Sequence, residues 1–257
     1  MKFKFLIGIM LFCAPQAYCF QDLSGFQRHL DSAETNVNTN TSLSKIYLDS
    51  IGAPSEKNLK EHIAKYYYIM AQLAYEDNDR TASMQYFIKS FKYAEQYKEY
   101  TIAARAAGEV ASRFYLLKKD SLATIYYNKA YSYYIKTNDE YGLLDLMQFP
   151  AYAKYVNSET QESIDLVLKD LDTYKNVAGD QMYYSFAIYL LTSNYLELDD
   201  IEKALEYNKI YKSLAGHEFI EPSYYLKYNN AINVNFAEYY HANKNLDSIK
   251  FYLDAIK

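Results

Sequence analysis

The chain has 257 residues with Gly 7 and Pro 4, together about 4% against roughly 12% in average usage. Sandwiches, barrels and Gly-fingerprint nucleotide folds need many turns built on those residues and are disfavoured, while a 50% hydrophobic content excludes a disordered chain. The formal net charge is -5, with Tyr 32 and Trp 0; an acidic balance argues against a phosphate-backbone binder, so no nucleic-acid partner is expected.

Residues 1–19 read as a secretory signal peptide. Lys2 and Lys4 form a positive start, Phe5 to Ala14 is an apolar run broken only by Gly8, and Ala17 and Cys19 occupy the -3 and -1 places of a cleavage site. The run falls short of the roughly 20 apolar residues that span a bilayer. Cleavage after Cys19 is expected. In the alternative, Cys19 is kept as the acylated first residue of a lipoprotein, although bulky Tyr18 makes a poor lipobox. The expected location is therefore periplasmic or secreted, with membrane attachment only if Cys19 is lipidated. Cys13 and Cys19 both lie in this leader, which leaves no disulfide, thiolate nucleophile or Cys-based zinc site beyond it.

Residues 20–57 read as a degenerate helix pair, near 22–36 and 41–51, around a polar loop from Thr35 to Thr41. From 58 to 257 a pattern recurs. A small residue is followed four later by a larger one and three further by another: Ser83-Phe87-Ser90, Ala123-Tyr127-Ala130, Ser163-Val167-Asp170, Ala204-Asn208-Tyr211 and Ser248-Tyr252-Ala255. Successive offsets are 40, 40, 41 and 44, and Leu43, Tyr47 and Ser50 fit one step upstream. A second apolar stretch precedes each, as in Ala107, Val110, Ala111 and Phe114. Spacings of three and four predict amphipathic helices. Polar turns such as Glu76-Asp77-Asn78-Asp79 and Leu198-Asp199-Asp200 supply caps. The predicted pairs are 58–76 with 80–97, 99–116 with 120–137, 139–156 with 159–175, 180–197 with 201–214, and 222–241 with 246–257.

This ordering of small and large residues is similar to the tetratricopeptide repeat. Val110, Ala111, Phe114, Ala123, Tyr127 and Ala130 stand at that family's spacing. The period of about 40 exceeds the family's 34, its terminal proline is missing, and Pro150 falls inside a first helix. Armadillo or HEAT-like repeats are the alternative at this period. The resemblance implies an all-α, right-handed superhelical solenoid of antiparallel helix pairs, whose first helices line a concave face. It places Tyr68, Gln72 and Tyr75 inward, then Ser112 and Tyr115 with Arg105 a turn earlier, then Gln148, Tyr152 and Tyr155, then Tyr189 and Ser193, then Glu238 and His241. These are the expected partner-binding residues. Tyr75, Tyr115 and Tyr155 would form a ladder of rings suited to peptide or sugar recognition; the plainer reading is packing between first helices.

Other chemistry is not expected. His29, His62, His217 and His241 show no i, i+4 pair or HExxH, so no metal and no cofactor is predicted. Ser42-x-x-Lys45 lacks the companion motifs of acyl-transfer enzymes. Asp139-Glu140 and Asp199-Asp200 sit at helix starts and read as caps. No enzyme is expected. The last helix carries Ile249, Tyr252, Leu253 and Ile256 without a polar cap, so it either self-associates through 246–257 or belongs to a longer ancestral chain. The array resembles the extracytoplasmic repeat regions of Bacteroidetes-type regulators. The expected function is an exported scaffold that holds a protein or peptide in its groove. The alternatives are a sensory ectodomain whose output domain is absent from this chain, or a glycan or small-molecule binder.

Overall fold

The structure, a computed structural model, describes residues 23–55, 60–177 and 181–256. The predicted leader lies outside the described residues. The chain divides into two compact units, Met1–Ala53 and Pro54–Lys257. Among the described residues there are helices and no strands.

The first unit is a helix hairpin, α1 (Leu23–Asn36) and α2 (Thr41–Ile51). Phe26, Leu30 and Ala33 of α1 and Leu48 of α2 are buried. The Asn40 side chain accepts the Leu43 N–H at 3.0 Å, which caps α2. Buried Ser44 donates to the Ala33 carbonyl at 2.7 Å. A small polar residue thus lets the two helices approach and still satisfies its hydroxyl.

In the second unit a 3-10 turn, Lys60–His62, leads into α3 (Ile63–Glu76) and α4 (Arg80–Tyr97). There follow α5 (Tyr100–Leu116), α6 (Asp120–Thr137), α7 (Glu140–Val156) and α8 (Thr160–Lys175). The last four are α9 (Met182–Glu197), α10 (Ile201–Ser213), α11 (Pro222–Ala242) and α12 (Leu246–Asp254). These match the predicted pairs to within a few residues, apart from the late start of α3. Each first helix packs on its own partner and on the next first helix, so α3, α5, α7, α9 and α11 form one row. Second helices pack on the first helix that follows them.

A chain so poor in glycine turns by another device. Asn78, Lys118, Ser158, Asp199 and Lys244 take left-handed φ between 54° and 62°, a region costly for most side chains and easiest for Asn and Asp. One residue later the N–H closes back on the first helix: Asp79 to Ala74, Lys119 to Phe114, Glu159 to Lys154, Asp200 to Tyr195 and Asn245 to Tyr240, all at 2.8–2.9 Å. This pairs carbonyls that a helix end leaves open. In the turns of α3/α4, α9/α10 and α11/α12 the next side chain caps the second helix: Asp79 accepts from Ala82 at 2.9 Å, Asp200 from Lys203 at 3.1 Å and Asn245 from Ser248 at 3.1 Å.

Tyrosine fills the space between helices. Tyr67 stacks on Tyr93 at 5.8 Å and 8°, Tyr195 on Tyr207 at 5.5 Å and 4°, and Phe236 on Tyr252 at 4.6 Å and 7°. Two apolar cores result. One includes Ala64, Phe87, Ala103 and Val110; the other includes Ile164, Ile188, Tyr211 and Phe236. α7 contributes to both, Leu146 to the first and Leu144 and Ala151 to the second.

Candidate functional site

In front of the first-helix row, where the two cores meet at α7, lies an open cavity of about 600 Å³. Its walls come from the row itself. α5 supplies Arg105, Gly108, Glu109 and Ser112; α7 supplies Gly142, Asp145, Leu146, Gln148, Phe149 and Tyr152. Tyr68 of α3, Phe186 of α9 and Tyr224 and Tyr228 of α11 close the sides, with Tyr134 of α6 and Asp139 reaching in from behind.

Rings run continuously along one side. Phe149 and Tyr152 lie 5.8 Å apart, Tyr152 and Phe186 6.0 Å, Phe186 and Tyr228 5.2 Å, and Tyr228 and Tyr224 4.8 Å between centroids. Burial, then the neighbouring Tyr228, Tyr75 and Tyr155, holds Tyr152 above the ordinary phenol range. Burial also raises Tyr224, helped by Tyr228, Tyr211 and Asp145. These phenols therefore stay neutral donors throughout the physiological range.

The polar wall is built by local capping and cross-helix bonds. Asp139 accepts the Gly142 N–H at 2.9 Å. Gln148, buried, donates from Nε2 to the Tyr183 carbonyl at 2.6 Å. Ser112 donates to the Gly108 carbonyl at 2.9 Å. The Arg105 guanidinium lies 4.4 Å from the centre of the Tyr68 ring, in cation–π contact. Arg113, packed 4.3 Å over Phe87, pairs with Glu109. Two glycines shape the floor. A Cβ on Gly142 would lie 2.2 Å from Tyr134 Cε1, so the Tyr134 ring sits directly on that backbone. A Cβ on Gly108 would meet nothing nearer than 3.7 Å.

Of the residues expected from sequence, Tyr68, Arg105, Ser112, Gln148 and Tyr152 line this cavity. Tyr68 and Gln148 are mostly buried within it. The others lie elsewhere. Gln72 is half-buried, and its Oε1 has no hydrogen-bond partner among the described residues. Tyr75 is exposed with Arg80 3.8 Å over its ring, and Arg113 lies 5.3 Å from the same ring. Tyr115 and Tyr155 are half-buried; Tyr155 packs on Tyr189 of the next first helix, α9, whereas Tyr115 packs on Tyr127 of α6, the second helix of its own pair. Tyr189 is buried against Phe186 and Tyr228. Buried Ser193 accepts from Asn235 at 2.8 Å. Glu238 and His241 are exposed on α11.

Sequence reasoning missed Glu109, Tyr134, Asp139, Gly142, Asp145, Leu146, Phe149, Phe186, Tyr224 and Tyr228. A signal existed for two of them. Arg105, Asp145 and Phe186 stand 40 and 41 residues apart, each one turn before Gly108, Gln148 and Tyr189. Extending the frame by that turn on every helix finds them. Among the described residues no group of three or more His, Cys, Asp or Glu could hold a metal ion, and no helix is long and apolar enough to cross a membrane. No protein-family model and no curated protein matches this chain.

Proposed function

We propose that residues 58–257 form a tetratricopeptide-like array of period about 40, exported from the cytoplasm, whose first helices hold a segment of a protein or peptide partner. The repeat reading is supported by five intra-pair turns with one left-handed residue and one closing bond each. The binding reading rests on a single observation, the aromatic and polar cavity of about 600 Å³ before α5, α7 and α9. A contiguous first-helix row supports this reading, in which the row is the inner wall of a right-handed solenoid. Rings supply contact area at low entropic cost, and neutral phenols with fixed amide and carboxylate groups supply orientation.

Selection of random peptides on the full chain tests this. Selected peptides should lose binding by about tenfold or more on Tyr152→Ala or Phe186→Ala, as removal of central aromatic anchors does. Peptides that bind both variants at full strength would place recognition elsewhere. A second reading, a small-molecule or glycan binder, is favoured by the cavity's volume, which lies within the roughly 300–1,000 Å³ usual for such sites. A screen of oligosaccharides read by a raised melting temperature would detect it.

A further inference from the structure

We infer that the cavity receives one aromatic side chain, tyrosyl, phenylalanyl or tryptophyl, from the bound peptide segment; this rests on the groove reading above and assigns its ligand chemistry. The charged groups of the lining do not call for an ion. Glu109 pairs with Arg113, and Asp139 accepts the Gly142 N–H as the cap of α7. Arg105 lies over the Tyr68 ring at 4.4 Å, and both Arg105 and Asp145 have partners within the chain. Among the described residues, every charged side chain along the cavity is thus engaged. An ionic ligand would have to displace one of those partners, at a cost in desolvation.

The uncharged lining is mainly aromatic, and its successive rings are crossed. Phe149 and Tyr152 meet at 69°, Tyr152 and Phe186 at 48°, Phe186 and Tyr228 at 69°, and Tyr228 and Tyr224 at 62°. All five are half-buried, so each keeps part of its surface uncovered. A ring carries negative charge on its faces and positive charge on its edge. An entering ring stacked on one of two crossed rings stands edge-on to the other, and offset stacking and edge-to-face contact are both favourable. A saturated side chain of equal size gains the buried area alone. The Ser112 hydroxyl donates to the Gly108 carbonyl, and its oxygen can still accept. A phenol or indole donor therefore finds a partner in the same space.

The test is a titration of the full chain with pools of capped pentapeptides, randomised among small and amide residues at the flanks. The centre is fixed as tryptophan, phenylalanine, cyclohexylalanine, leucine or lysine. NMR shifts of the Gly108 and Gly142 amides read binding of every pool. The chain carries no tryptophan, so indole fluorescence reports the ligand alone. Its emission should move to the blue. The tryptophan and phenylalanine pools should bind about fivefold tighter than the cyclohexylalanine pool, the increment that ring geometry adds to buried area. The leucine and lysine pools should be weaker still. Phe186→Leu and Tyr152→Leu keep apolar bulk and remove one ring, so each should cut the preference for phenylalanine over cyclohexylalanine to about twofold or less. If neither variant folds, the cyclohexylalanine comparison on the unaltered chain decides alone. A cyclohexylalanine, leucine or lysine pool that binds as tightly as the phenylalanine pool overturns the aromatic assignment and leaves the groove reading standing. So does a preference unchanged in both variants, or indole emission that stays unshifted on binding, since either puts the ring elsewhere. No shift of Gly108 or Gly142 with any pool overturns both readings.

Discussion

Glu99 shows how one side chain can set a pH response. It precedes α5 without capping it, and its Oε1 has no hydrogen-bond partner among the described residues. Burial first, and Glu61 second, push its carboxyl from 4.5 up to about 7. The folded state therefore keeps a proton that the unfolded state releases from about pH 4.5 upward. Stability falls as pH rises through that window and levels above about 7. Glu99→Gln should raise the thermal midpoint at pH 8, leave it nearly unchanged at pH 4, and flatten the profile between. The two cavity glycines make a sharper contrast. Gly142→Ala drives a Cβ into the Tyr134 ring and should cost about 1–3 kcal/mol by overpacking. Gly108→Ala meets only ordinary contacts and should stabilise α5 by up to about 1 kcal/mol through helix propensity. Chemical denaturation of both variants measures the difference.

Helix elements are joined by few but buried polar bonds. Ser163 of α8 donates to the Ala151 carbonyl of α7 at 2.8 Å and accepts from Asn194 Nδ2 of α9 at 2.8 Å. All of Ser163 and Asn194 is buried, and the Asn194 Oδ1 is already unpartnered among the described residues. Ser163→Ala improves helix propensity yet leaves the Asn194 amide unsatisfied. The loss should win, at about 1–3 kcal/mol, and Asn194→Leu in the same chain should recover part of it if the volume is accommodated. Denaturation midpoints of the single and double variants decide. At the same level, Pro150 lies inside α7 without ending it. Proline removes one interior N–H, but the packing of Leu144, Leu146 and Ala151 in the two cores holds the helix across it.

Among the described residues of the second unit the two cores share α7 alone. Damage to one should therefore spread only partway. Ile188, fully buried in the core of α7–α12, should lose about 2–5 kcal/mol on change to Ala. Hydrogen exchange should then accelerate in α8–α11 well before α3 and α4, as expected where units contact only neighbours. Uniform acceleration from α3 to α12 would instead indicate one cooperative block. The cavity lies over this same junction, so a ligand bridging α5, α7 and α9 would tie the two halves together and slow exchange in both.

Helix pairs were legible because burial imposes spacings of three and four, and the small residues Ala123, Ser163 and Ala204 mark where helices touch. Tyr68, Arg105, Ser112, Gln148 and Tyr152, which the resemblance to the tetratricopeptide repeat grouped together, do line one cavity. Phe149 and Tyr228 could not be placed there, because periodicity says which face a residue takes and not where neighbouring rings leave a gap. Nor could it separate Tyr115 and Tyr155, which pack on adjacent helices, from Tyr152, which opens on the cavity. The linear pattern determined the helices, their pairing and the capping of their ends, all of which depend on residues near in the chain. Only the tertiary structure decided where volume remained empty, since a cavity depends on distances between side chains on six separate helices, and those distances come from stacking rather than from local order.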